Sequence, residues 1–345
     1  MALHALCLVA LASSVAAQGL IDLRYSWPYT GPYKVDTQSG SRGQMQGYNQ
    51  CNSTTAGPQS HCVNTVVNSI NDFCLYAPAE PNSVIGVVEG EAVAYCVDGS
   101  RYGTRTIPPG AITGLLVVKT PSYIAIAANL NGQRLNIAAN DEGGEMDPHG
   151  ADLRGNPIGS LMWSNQFGAS NASSNASSNA SSNGSLSQVI EWHQFIGSSY
   201  MCMKACDPAD ASRPPAQNLC DNTHDTVGCG VNVPLNYQGI GTSFVSCLGD
   251  DQDPPSQNLR NARIPATSSC TTYQSTDIFT PRATSTSASV ASATAIVTSA
   301  PAATRSATVA SALPTLSAVG AAPTAPPALR GAAVLAAALA IAAAR

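Results

Sequence analysis

The sequence predicts a mainly β protein, a sandwich or partly closed barrel with one N-terminal helix and a disulfide-rich C-terminal lobe. Three observations predict it. Short apolar runs, several with period two, follow one another from Val84 onward and are punctuated by Pro108-Pro109-Gly110 and Thr120-Pro121. Ten cysteines lie in two groups flanking a stretch of 105 residues without one, between Cys96 and Cys202. Both ends of the chain have the composition of processing signals rather than of a packed core.

In chain order, residues 1–17 read as a signal peptide. The apolar run Leu6 to Ala12 is too short to span a bilayer, and Val15-Ala16-Ala17 supplies small residues before the cut. Residues 18–280 are the expected ectodomain. Within it, Pro58 to Phe73 predicts a helix, because Val63, Val66, Val67 and Ile70 recur at three-to-four spacing behind a proline suited to a first turn. Strands are expected over 84–88, 92–97, 111–119 and 122–130. Asn131-Gly132 predicts a hairpin turn between 123–126 and 135–137. After a polar stretch, 158–163 and 189–196 are expected to pair across a loop, 171–185, that carries the serial sequons NASSNASSNASSNGS.

Residues 281–320 hold fifteen Ser or Thr and no Cys or aromatic residue, the composition of an extended, O-glycosylated stalk. Residues 321–345 then match a removed GPI-attachment signal. The all-apolar tail Ala332 to Ala344 is shorter than a membrane span, a spacer precedes it, and Gly320 is the expected attachment site. The protein is therefore expected on the outer face of the plasma membrane, held by a GPI lipid, or in the cell wall. A net charge of −5, with 11% charged residues and no basic run, excludes nucleic acid as a partner.

Loss of Cys7 with the signal peptide leaves an even set for an oxidising compartment: Cys51, Cys62, Cys74 and Cys96, then Cys202, Cys206, Cys220, Cys229, Cys247 and Cys270. Pairing within each group leaves three connectivities for the first and fifteen for the second. Sequons stand at Asn52, Asn171, Asn175, Asn179 and Asn183.

Chemistry is expected in two places. Five carboxylates fall in residues 141–152 beside His149, on a Gly- and Pro-rich path where side chains can converge. Oxygen ligands there would suit Ca²⁺, and a His with carboxylates would suit Zn²⁺ or Mn²⁺. Asp147, His149, Asp152 and His193 are thus the metal candidates, and a divalent ion is the candidate cofactor. Glu191 and His193 are two apart on an expected strand and share a face, so His149, Asp152, Glu191 and His193 are the catalytic candidates for acid–base chemistry. The alternative is a solvated acidic loop beside the polar face of a strand. No Gly-x-Ser-x-Gly nucleophile motif is present.

Four strings, Cys51 to Ser60, GGEMDPHGADLRGNP at 143–157, QVIEWHQF at 188–195 and CMKACDP at 202–208, resemble the secreted fungal macrophage-activating glycoproteins over roughly residues 48–255. The resemblance implies secretion and glycosylation. The expected function is a surface or wall glycoprotein that binds or makes structural contact, with cell-wall polysaccharide or surface proteins as partners. The rival is a wall-modifying hydrolase or metal-dependent enzyme.

Overall fold

The computed structural model describes residues 19–29, 40–167, 186–212, 214, 217–257, 259–260 and 262–279. The expected signal peptide, sequon loop, stalk and Gly320 lie outside them. Among the described residues, no helix is long and apolar enough to cross a membrane.

The first departure from expectation is also the first sheet. Asn64–Ser69 (β1) and Asp72–Ala77 (β2) form an antiparallel hairpin where the apolar spacing predicts a helix. β1 is buried on both faces, with Val63 and Val67 to one side and Val66 to the other. A strand buried on both faces shows no alternation, so its period misleads, while its β-branched Thr65, Val66 and Val67 favour the extended form. The second departure is Ile85–Val88 (α1), a single helical turn in place of a strand. Val84 and Val87 are 50% and 80% exposed, so only Ile85 of the run enters the core, and its N–H donates to Asp141 Oδ2 at 2.6 Å.

The remaining strands are Val93–Cys96 (β3), Arg105–Thr106 (β4), Ile112–Lys119 (β5), Tyr123–Leu130 (β6), Gly144–Met146 (β7), Leu161–Ser164 (β8), Ser187–Val189 (β9), Trp192–Ile196 (β10), Tyr200–Cys206 (β11), Phe244–Gly249 (β12) and Thr267–Tyr273 (β13). They build two mixed sheets, ordered β4-β3-β2-β1-β8-β9 and β13-β12-β5-β6-β11-β10-β7. Neither closes as a barrel. The β1–β8, β3–β4 and β5–β12 pairs are parallel and the others antiparallel.

Asn131-Gly132 is not a hairpin turn: β6 pairs with β5 before it and β11 after it. A 3-10 turn, Gly132–Leu135, follows instead, and a Cβ on Gly132 would stand 2.6 Å from the Ser198 carbonyl oxygen. The expected pairing across the sequon loop is half right. β8 pairs with β9, whereas β10 leaves for the second sheet.

A core cluster draws side chains from both sheets, among them Val67, Phe73 and Leu75 with Leu115, Ile126 and Met203. Gln194 on β10 links the sheets by hydrogen bonds. Its amide accepts from the Tyr76 N–H at 2.8 Å and donates to the Tyr76 carbonyl at 2.7 Å, closing main-chain groups of β2 where the β1 pairing has ended. The far face of the first sheet is covered by the segment 19–29 through Leu20, Tyr29 and Trp27. The far face of the second is covered by the C-terminal lobe through Leu219, Val233, Leu235 and Ile240.

The bridges are Cys51–Cys62, Cys74–Cys96, Cys202–Cys229, Cys206–Cys220 and Cys247–Cys270, each inside its own group. They do not sit on irregular flanks alone, since six of the ten cysteines are strand residues. Cys74 and Cys96 stand directly opposite one another on β2 and β3.

Candidate functional site

The acidic segment is anchored to β10. Gly143, at φ +98°, lies so close that a Cβ would stand 2.2 Å from the Ile196 carbonyl oxygen, and β7 then pairs Glu145 with Phe195. Asp147 and Asn156 next exchange both main-chain hydrogen bonds, at 2.9 and 2.8 Å, pinching residues 148–155 into a closed loop. At its entry Asp147 Oδ1 accepts from the main-chain N–H groups of His149 and Gly150 at 2.7 and 2.8 Å, a side-chain turn typical of Asp.

This loop delivers His149 to Glu191, with Nε2 2.9 Å from Oε2. Glu191 is buried and the His149 side chain is largely covered. Burial opposes a charged imidazole here. The hydrogen bond and charge of Glu191, joined by the charges of Asp147 and Asp22, outweigh it and raise the His149 pKa. Asp152 is drawn elsewhere. It lies between Arg42 and Arg154, the latter at 3.1 Å, and Arg42 also donates to the Gly155 carbonyl and to Asn156 Oδ1. Burial works against the Asp152 charge, but the two guanidiniums hold its pKa below the ordinary carboxylate value.

His193 follows a third course. On β10, Trp192 and Ile196 face the core between the sheets, while Phe195 on the other face packs under the lobe. His193 shares that second face, is fully buried and stands directly opposite Lys204 of β11. Neither ring nitrogen reaches a hydrogen-bond partner among the described residues. Burial first, then the Lys204 charge, lower its pKa well below the usual range, against a smaller pull from the Asn232 main chain.

The four catalytic candidates therefore divide three ways, and only His149 and Glu191 meet. The metal set Asp147, His149, Asp152 and His193 does not gather: two guanidiniums occupy Asp152 and His193 is sealed beneath the lobe. Among the described residues, the compact group with metal-ligand chemistry is Cys206, Asp210 and Cys220, whose two sulfurs are bonded to each other. That disulfide, with Cys202–Cys229, also removes the zinc-like spacing of Cys202 and Cys206. Asn52 is exposed, and the hydroxyl of its sequon Thr54 donates to Asn52 Oδ1 at 2.6 Å.

Beside the loop opens a cleft of about 430 Å³, lined by Glu89, Glu145, Asp147, Asn156, Asn222 and Thr226 with Phe195 and several glycines. Its walls are the pinched loop, the turn after α1 and the C-terminal lobe. Asn222 and Thr226 give no signal in the sequence because they reach the cleft only through the fold of the lobe. Lys204 did carry one: in Cys202-x-Lys204-x-Cys206, period two puts the lysine on the face of both cysteines.

Appressorium protein ROW2 of Mycosarcoma maydis is 33% identical over 229 residues, which span 65% of this chain and 71% of that protein. The chain belongs to the family of ROW2. Appressorium protein ROW1 of the same organism is 37% identical over 226 residues, 64% of this chain, and the match spans about half, 48%, of ROW1. No protein-family model matches this member of the ROW2 family, and no solved structure matches it.

Proposed function

We propose that this ROW2-family member is a fungal surface or wall glycoprotein that binds a hydroxyl-rich ligand, cell-wall polysaccharide, in the cleft beside His149. The lining of the cleft carries this reading. Carboxylates and amides from three chain segments converge on one opening, and such groups orient sugar hydroxyls by hydrogen bonding. Two sheets that share a core support a sandwich reading of the scaffold, stiff enough to hold those segments in place. The test is retention on insoluble chitin and β-glucan of the purified, secreted protein. Wild type is expected to bind, and Glu89→Gln with Asn222→Ala to bind about tenfold more weakly, or ~1.4 kcal/mol. Equal retention of both proteins, or none, overturns the reading.

The anchoring proposal rests on sequence: a signal peptide at 1–17, a stalk at 281–320 and a GPI signal at 321–345 with attachment at Gly320. That both relatives are appressorium proteins supports an extracellular or surface location. So does the resemblance to macrophage-activating glycoproteins, with glycans expected at Asn52, Asn171, Asn175, Asn179 and Asn183. GPI-specific phospholipase should release the protein from membranes, and deletion of 321–345 should send it to the medium; retention after both treatments sinks the proposal.

One observation favours a hydrolase as the second reading, the His149–Glu191 pair at the base of the pinched loop. It predicts new reducing ends from wall polysaccharide that Glu191→Gln abolishes. Unchanged polysaccharide after prolonged incubation eliminates it.

A further inference from the structure

A fully buried lysine outside any ion pair is costly to keep, because burying an ammonium without direct pairing loses several kcal/mol of solvation. Lys204 is in that position. Its side chain is fully buried, and it forms no ion pair among the described residues. Its Nζ lies 5.4 Å from the centroid of the Tyr123 ring and donates a hydrogen bond to Gln252 Oε1 at 2.8 Å.

The glutamine is equally constrained. Gln252 is 5% exposed, its main-chain N–H donates to the Tyr123 hydroxyl at 3.0 Å, and its Nε2 donates to the Asp253 carbonyl at 3.2 Å. The carboxamide carbon is one carbonyl bond beyond Oε1, so Lys204 Nζ stands no more than about 4 Å from Gln252 Cδ. An amine and an amide carbonyl are thus held against each other in a site closed to water.

We propose that Lys204 and Gln252 join as an intramolecular isopeptide bond. The lone pair of Nζ adds to Cδ, the Cδ–Nε2 bond breaks, and a proton from Nζ leaves with Nε2 as ammonia. Nothing is oxidised or reduced, and one ammonia is lost per bond formed. Addition needs the neutral amine, and burial lowers the Lys204 pKa to about 7 against the opposing charges of Asp210 and Asp221. Proton transfer needs a group with an empty site. His193, directly opposite Lys204 in the β10–β11 register, supplies a ring nitrogen for it.

The bond would tie β11 to the segment after β12, where Asp251 already holds the β5–β6 turn through Ser122 at 2.7 Å. Unlike the five disulfides, this brace would survive reduction.

Peptide mass spectrometry of the secreted protein, reduced, deglycosylated and digested with trypsin, tests the proposal. The expected result is one peptide, residues 155–260, because the single basic residue between Lys204 and Gln252 is the proline-blocked Arg213; it is uncut after Lys204 and lighter than the same unlinked residues by one ammonia. Gln252→Glu, which keeps a hydrogen-bonding carboxyl but lacks the leaving ammonia, should give the two linear peptides and an intact mass that matches its sequence. Cleavage after Lys204 and an unmodified Gln252 peptide from folded wild type overturn the proposal, whatever the variant does.

Discussion

Two histidines flank Glu191 in the molecule and meet opposite fates. His149 arrives on a loop, stays partly open to solvent and finds a carboxylate at 2.9 Å, so its charged form is favoured. His193 arrives on a strand, is sealed under a disulfide-stapled lobe and faces a lysine, so its neutral form is favoured. Partnering controls the first and desolvation the second. The difference teaches that an imidazole's role here is decided by which layer covers it, since both histidines lie within reach of the same strand.

Four changes break or sharpen that contrast. The largest is removal of the cover. Cys206→Ala with Cys220→Ala opens a bridge closing 14 residues and should cost about 3 kcal/mol in urea unfolding. Amide exchange should then quicken in the lobe around 208–232 and leave the His149 loop unchanged; equal quickening in both would mean that the two regions are one cooperative unit. Next, Gln194→Leu strands the buried Tyr76 N–H and carbonyl, for a loss of about 2 kcal/mol. That variant acts on the joint between the sheets and should spare both histidines.

Glu191→Gln should cost about 1 kcal/mol below pH 6.5 and progressively less as pH rises through the raised His149 pKa. The sign follows from a raised folded pKa: the stabilisation is full below the unfolded value near 6.5 and disappears as pH climbs through the folded one. NMR titration should show the His149 pKa falling in the variant, and an unmoved titration would refute the pairing. His193→Phe is the smallest change at neutral pH, within about 0.5 kcal/mol. Its effect is on the acid limb. A lowered folded pKa makes the neutral ring a liability in acid, with stability rising as pH climbs toward 6.5, and the variant should flatten that rise.

Much of the β architecture was legible because short runs of apolar and β-branched residues bounded by turn residues announce strands. The 92–97, 111–119 and 122–130 runs became β3, β5 and β6 within a residue or two. β1 was illegible because its valines fall at three-to-four spacing behind Pro58, and burial on both faces left no alternation to contradict a helix. β11 to β13 were hidden because their cysteines pointed to a disulfide-rich lobe, whereas Cys202, Cys206, Cys247 and Cys270 are strand residues. His149 and Glu191 stood together among the four catalytic candidates, but no local pattern separated that pair from Asp152 and His193, and the expected hairpin changes sheet at β10. The diversion of Asp152 was not, because Arg42 is distant in sequence and its approach depends on the fold of the residues around it. The cleft wall from Asn222 and Thr226 needs the lobe in place, and no local pattern encodes that.

The Cys247–Cys270 bridge takes on another meaning when the molecule is put under load. It joins β12 to β13, and β13 is the edge strand from which the chain runs through Phe279 toward its C-terminal end. Tension applied beyond Phe279 would peel an edge strand one hydrogen bond at a time, the weakest way to pull a sheet. The bridge stops that unzipping within β13 and passes the force to β12, which is no longer an edge because it also pairs with β5 from Phe244 to Leu248. Cutting this one bond should therefore lower the rupture force of the tethered domain more than it lowers its stability in solution.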